Sequence, residues 1–178
     1  MSMVMLAIAL LLAIAMIGAA LITIRVRRPA TAMLAAGMIG VFITRMSTFA
    51  AEVGGCQVEC GAGSSMAAAG LTTLMGGTTD MALCAASMAL QNSLGMICDP
   101  VAGRVEVPCL GKNAMAAANA VTCANMALAG FDEIIPLEEV ILAMDRVGKG
   151  LPRELKCTAL GGLSITPAAK AIEKKLAT

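Results

Sequence analysis

The sequence has 178 residues, 58% hydrophobic and 14% charged, with 13 Lys and Arg against 12 Asp and Glu. A net charge of +1 creates no field to draw nucleic acid. Histidine is absent, which excludes Ser-His-Asp and Cys-His catalysis and imidazole-ligated zinc, so any site must use thiolates, carboxylates, lysine, hydroxyls and backbone amides.

Residues 3–24, MVMLAIALLLAIAMIGAALITI, carry no charge and are followed by RVRR. A run of this length and polarity reads either as a bilayer span anchored by the arginines or as a central helix of an all-α core. The rest predicts short, punctuated helices. PATAMLAAGMIGVFITRMSTFA (29–50) opens on a Pro suited to a first helical turn. GSSMAAAGLTTLMGG (63–77) runs from serines to a double Gly, and TTDMALCAASMALQNSLG (78–95) from capping residues to Gly95. Asn113 is the expected cap of a helix closed at Gly130. IPLEEVILAMDRVGKG has apolar residues at 137, 140, 141 and 144 and two Glu in its first turn, and TPAAKAIEKKLA supplies a last amphipathic helix. No segment alternates with period two, so the predicted fold is all-α: a compact bundle of closely packed Ala/Gly/Met-rich helices with cysteine-bearing loops at helix ends.

Seven cysteines, at 56, 60, 84, 98, 109, 123 and 157, without the spacing of a disulfide scaffold, point to a reducing compartment. Cys84 and Cys123 fall inside Ala-rich helical runs and read as small core residues, while Cys157 is open to either reading. Cys56, Cys98 and Cys109 lie at Gly- and Pro-rich breaks beside helix ends, where amide N–H groups are expected to favour thiolates. Three thiolates could bind zinc, but the CxxC knuckles usual for zinc are missing; with no histidine, iron–sulfur ligation suits them better.

The segments AEVGGCQVECGAGSSMAAAGLTTLMGGT, GMICDPVAGRVEVPCLGKNAMAAANA and TALGGLSITPAAKA resemble the alpha chain, or alpha domain, of bacterial iron–sulfur-dependent L-serine dehydratase (L-serine ammonia-lyase). The likeness runs from about residue 31 to 175 and is carried above all by the pattern CDPVxGxVxVPC. The resemblance implies a [4Fe–4S] cluster held by Cys56, Cys98 and Cys109, with one iron open as a Lewis acid. It also implies elimination of water from L-serine to give pyruvate and ammonia. Lys112 and Asn113 are candidate substrate-carboxylate contacts, against plain roles as a surface lysine and a helix cap. Glu52, Glu59 and Asp99 lie near the ligands in sequence, and no residue is assigned as the general base.

Two segments follow from this reading: an apolar N-terminal helix over 1–28 and an alpha-type helical domain over 29–178. The family's alpha chains carry more sequence ahead of the first cluster cysteine, including a Thr/Ser/Gly-rich substrate-binding stretch, and its beta domain brings a Ser-rich segment with a histidine. Neither is matched here, so the expectation is an incomplete or diverged alpha domain that needs a beta-type chain for turnover, a homo-oligomer being a further expected assembly. The expected location is cytoplasmic. A second reading is an inactive fragment or a membrane-anchored, non-enzymatic protein with a vestigial cysteine site, and a third is a structural zinc module.

Overall fold

With three Phe and no Trp or Tyr, the interior must be filled by small and aliphatic side chains. That requires helices at close range, since interaxial distance follows the size of the side chains in contact. A computed structural model describes residues 27–177. Its helices are α1 (Arg27–Met46), α2 (Ala51–Gly54), α3 (Cys60–Leu74), α4 (Thr79–Gln91), α5 (Cys109–Leu128), α6 (Leu137–Gly150) and α7 (Pro167–Leu176). Among the described residues there is no strand, and an isolated parallel bridge joins Cys98 to Lys156. The all-α expectation holds. The apolar run 3–24 lies outside the described residues.

α3 is the hub, packed against α1, α4 and α5 at once. Its buried residues are Cys60, Gly61, Ala62, Ser64, Ser65, Ala68, Ala69 and Thr72, none large. At Gly70 an added Cβ would lie 3.3 Å from the Ala32 carbonyl of α1, so the absent side chain sets the approach of these two helices. One apolar core, including Ile39, Ile43, Leu90, Ile141 and Met144, fills the space between α1, α3, α4 and α6. A second, built from Ala68, Ala85, Met88, Ala120 and Ala127 with Cys84 and Cys123, joins α3, α4 and α5. Cys84 and Cys123 are thus core residues, as read from the sequence. α1 is long and apolar enough to cross a membrane by length and composition, and within this fold Ile39 and Ile43 are buried in the first core.

Two helix starts differ from expectation. Ser64 and Ser65 do not cap α3; they lie inside it and donate to carbonyls of neighbouring helices, Ser64 to Ala116 at 2.8 Å and Ser65 to Ala86 at 2.8 Å. Asn113 does not cap α5, which begins at Cys109, and its amide instead donates to the Cys109 carbonyl at 2.9 Å. A buried hydroxyl that reaches a carbonyl across a helix interface satisfies itself there, and an amide that bonds the carbonyl one turn back in its own helix does so locally, so neither need end a helix. The cap at Thr78 is found as read, accepting from Met81 N–H at 3.2 Å, and Thr166 also caps α7, accepting from Ala169 N–H at 3.3 Å.

Candidate functional site

The polar stretch 95–108 crosses the ends of α2, α3 and α5 because it is tied down at both margins. At its start, the Gly95 N–H donates to Gln57 Oε1 at 2.9 Å and the Gln57 N–H to the Met96 carbonyl at 3.1 Å. Gln57 is fully buried, and its amide also donates to Gly54 O at 2.9 Å and Met144 O at 3.1 Å. This one side chain joins the 3-10 turn Cys56–Val58 to α6 and to the loop that carries Cys98. Further on, the Cys98 N–H donates to Leu155 O at 2.9 Å and the Cys157 N–H to Cys98 O at 2.8 Å. The loop therefore runs between the Cys56 turn on one side and the 155–157 segment on the other.

Asp99 fixes its middle. The carboxylate is buried, with Oδ1 accepting from Lys112 Nζ at 2.7 Å and Oδ2 from the Leu163 N–H at 2.8 Å. Lys112 Nζ also donates to Ile97 O at 2.7 Å. Gly162 takes φ 59, and a Cβ there would stand 2.6 Å from Asp99 Oδ2, so only glycine allows the GGLS segment this close to the carboxylate. Ser164 then donates to Pro100 O at 2.9 Å. The TALGGLS segment thus acts as the outer support of the CDP loop. Lys112 is not the surface lysine of the plainer expectation: it straps the first turn of α5 to residues 97 and 99.

The thiols converge as a result. Cys56, Cys60 and Cys98 pack together with Ala51 and Ala116 in one buried cluster. Cys98 has Cys56 and Cys157 as thiol neighbours that perturb its pKa, and Cys60 has Cys56. Cys109, the buried first residue of α5, lies close enough to feel the charges of Lys112, Glu59, Cys157 and Asp99. Asn113 accepts from the Cys60 thiol at 3.6 Å. Of the three cysteines read from the sequence, Cys56 and Cys98 share this buried cluster, and Cys109 lies beside it at the head of α5, within reach of Cys60 and Cys157. Cys60 and Cys157, left outside the expected ligand set, join them; Cys60 had a spacing signal, four residues after Cys56, whereas nothing in the sequence spacing places Cys157 beside Cys98.

One electrostatic expectation is corrected. Helix-end amides were expected to favour thiolates, yet burial dominates. It pushes Cys56 up to about 11, against the lowering effects of the Cys98 hydrogen bond and the Lys112 charge. Cys98 is raised by burial and then by its hydrogen bonds to Cys157 and Cys56, and Cys60 and Cys109 are also raised, burial first. For Lys112, burial works against the charged form, but the Asp99 bond and the nearby thiols outweigh it and the pKa rises. The pocket therefore holds neutral thiols around one fixed ammonium group.

Beside Cys60 opens a cleft of about 200 Å³ lined by Glu59, Cys60, Gly63, Ser64, Asn113 and Ala116, among others. A Cβ added at Gly63 would meet nothing within 4 Å, which leaves this wall open. Glu59 is exposed at its edge, and Glu52, two turns of chain earlier, is exposed as well.

The donor set can be tested against a metal. Three sulfurs on a single ion at about 2.3 Å would stand about 3.8 Å apart, and among the described residues no group of three His, Cys, Asp or Glu is arranged to hold one ion. A four-iron cluster takes its thiolates on separate irons and so wants them spread around a larger body. By donor type, soft thiols from separate segments with a lysine to offset their charge suit iron–sulfur ligation.

A family model described as the serine dehydratase alpha chain matches residues 8–164. The chain belongs to that family. Its relatives include a probable L-serine dehydratase alpha chain of Bacillus subtilis, 45% identical over 79% of this chain and 47% of the relative. The L-serine dehydratase alpha chain of Peptoniphilus asaccharolyticus is 48% identical over 71% of this chain and 43% of its own length. A probable L-serine dehydratase alpha chain of Latilactobacillus sakei is 44% identical over 79% and 68% respectively. The chain spans about half the length of the first two. As a member of the serine dehydratase alpha chain family it carries, inside the matched stretch, both the cysteine-bearing loop and the GGLS segment that supports it.

Proposed function

We propose that this chain is the cluster-holding alpha part of an L-serine ammonia-lyase, which removes water from L-serine to give pyruvate and ammonia. Cys56, Cys98 and Cys109 hold a [4Fe–4S] cluster. Bound there, the cluster supplies Lewis acidity at the iron that takes no protein thiolate. The observation that carries the reading is the convergence of thiols from three separate segments around Lys112, in a family whose relatives are named as L-serine dehydratases.

The chain's own residues set the conditions for this chemistry. Lys112 offsets negative charge on the sulfurs and, through Asp99 and Ile97, keeps the Cys98 loop in register with Cys109 at the head of α5. The cleft at Cys60 is the place for a substrate of amino-acid size, with Asn113 and the Ser64 wall supplying polar contacts. Lys112 itself is committed to the loop, so in this reading Asn113 is the better of the two expected carboxylate contacts. A beta-type chain completes the enzyme; support comes from the designation of the relatives as alpha chains. The cytoplasm is the proposed location, supported by seven free thiols.

The test is anaerobic reconstitution of the chain with iron and sulfide, followed by visible absorbance, iron and acid-labile sulfide analysis, and pyruvate formation from L-serine with and without a beta-type chain. Near-stoichiometric cluster content, lost in each of the Cys56→Ser, Cys98→Ser and Cys109→Ser variants, is the expected result, with turnover only when both chains are present. Stoichiometric zinc without labile sulfide would replace the lyase reading by a structural zinc module.

A further inference from the structure

Of the seven cysteines, Cys157 alone is exposed. Its backbone takes φ 62, in the left-handed region that residues with a side chain seldom adopt. In a continued extended strand, the residue after Lys156 would point away from the face that Lys156 shares with Cys98. The left-handed turn breaks that alternation, and the Cys157 thiol meets the thiol of Cys98. Strain of this kind is held only where the surroundings fix it. Here the Cys98 N–H and carbonyl both bond the 155–157 segment, at 2.9 Å and 2.8 Å.

We propose that Cys98 and Cys157 form a redox pair, closing to a disulfide when the cluster-free chain meets hydrogen peroxide. The bridge sets Lys156, the residue before Cys157, opposite Cys98 at the roughly 4.8 Å spacing of parallel chains, which leaves Cys157 near the roughly 4.4–6.8 Å between Cα atoms that a disulfide joins. The chemistry divides by exposure. The Cys157 sulfur, open to solvent, attacks one peroxide oxygen; the O–O bond breaks, water leaves, and Cys157 becomes a sulfenic acid. The buried Cys98 sulfur then attacks the Cys157 sulfur. The S–O bond breaks and its oxygen departs as a second water with the Cys98 proton. Two thiols lose two electrons and peroxide is reduced to two waters.

Cys56 also meets Cys98, but both are buried, at 0% and 3% exposure, so neither offers the oxidant an entry. Cys84 and Cys123 are buried apart, in the core between α3, α4 and α5. The consequence of the pairing, which rests on the function proposed above, is that closure withdraws Cys98 from the three cluster thiols. The oxidised chain is then unable to load a cluster until it is reduced, while a loaded cluster keeps Cys98 out of the disulfide.

The full chain, freed of metal and reduced, is treated with hydrogen peroxide, alkylated, digested without reductant and mapped by mass spectrometry. A Cys98–Cys157 cross-linked peptide is expected, and in Cys157→Ser the Cys98 thiol stays open to alkylation. In parallel, oxidised wild-type chain is expected to take up at least tenfold less iron and sulfide than reduced chain, with recovery on dithiothreitol. Cys157→Ser is expected to keep its uptake through the peroxide step. A Cys56–Cys98 link, or Cys157 oxidised beyond sulfenic acid with Cys98 still alkylatable, overturns the pairing. Failure of even the reduced chain to assemble a cluster would fell the proposed function instead, and the peptide map would still decide the pair.

Discussion

Replacing Lys112 by Met tests the joint on which the site's shape depends. The Lys112 side chain is 16% exposed and Asp99 4%, with Nζ and Oδ1 2.7 Å apart. Removing one member of so buried a pair strands the other charge, at a cost of about 3–5 kcal/mol. Asp99 keeps the Leu163 amide at 2.8 Å, which places the expected loss near the lower end, about 3 kcal/mol. The Ile97 carbonyl also loses its 2.7 Å donor, so the loop loosens beside Cys98. Lys112→Arg keeps the charge and recovers at least half of the loss. Asp99→Asn combined with Lys112→Met costs less than the sum of the single changes by roughly 1–3 kcal/mol, because the partners share one interaction. The assay is urea unfolding of the cluster-free, reduced chain, whose total stability is expected at about 5–15 kcal/mol. A loss below about 0.5 kcal/mol for Lys112→Met, the range of an ordinary surface change, refutes the claim that this pair holds the loop.

Three further outcomes are expected. Gly162→Ala puts a Cβ 2.6 Å from Asp99 Oδ2 at φ 59 and costs roughly 2–4 kcal/mol; Gly103→Ala, at φ 67 with open space around it, loses only the backbone part, and thermal melts separate the two. Asn119→Leu removes donors to Ser64 Oγ and Ala89 O, each at 2.9 Å, and lowers the urea midpoint by a stability loss of about 1–3 kcal/mol with an unchanged slope. Burial, followed by the neighbouring Glu133, pushes the Cys84 thiol up to about 12 from 9.0. A raised folded-state value means that its contribution is intact below the unfolded value and is lost as pH climbs through the window from 9 to about 12, so the chain melts progressively lower there and Cys84→Ala flattens that fall.

Helix order and class were legible because Gly, Pro and Thr mark the ends of apolar runs, as at Thr78, Gly95, Gly130 and Thr166. What misled was polarity inside helices. Ser64, Ser65 and Asn113 look like boundary residues in a one-dimensional reading, yet each finds a carbonyl partner inside the bundle. The packing of Cys56 with Cys98 in one buried cluster was foreseen through the family resemblance. The strap from Lys112 to Asp99, the buried hub Gln57 and the approach of Cys157 were not, because each depends on a contact between segments 13 to 87 residues apart with no periodic signal.

The raised thiol pKa values explain why so apolar a bundle tolerates this site. Four thiols buried together as thiolates would strand several negative charges around one lysine, which no packing of Ala and Met could offset. Kept protonated by burial, they behave as small hydrophobes and Cys56, Cys60 and Cys98 join the core outright. In the proposed cluster-bound state, iron would carry the positive charge that free thiolates need, and the low polarity that disfavours a free thiolate would then strengthen its bond to the metal. The same burial that stabilises the fold without the cluster would hold the sulfurs in the proposed loaded state, with Lys112 supplying the fixed charge common to both.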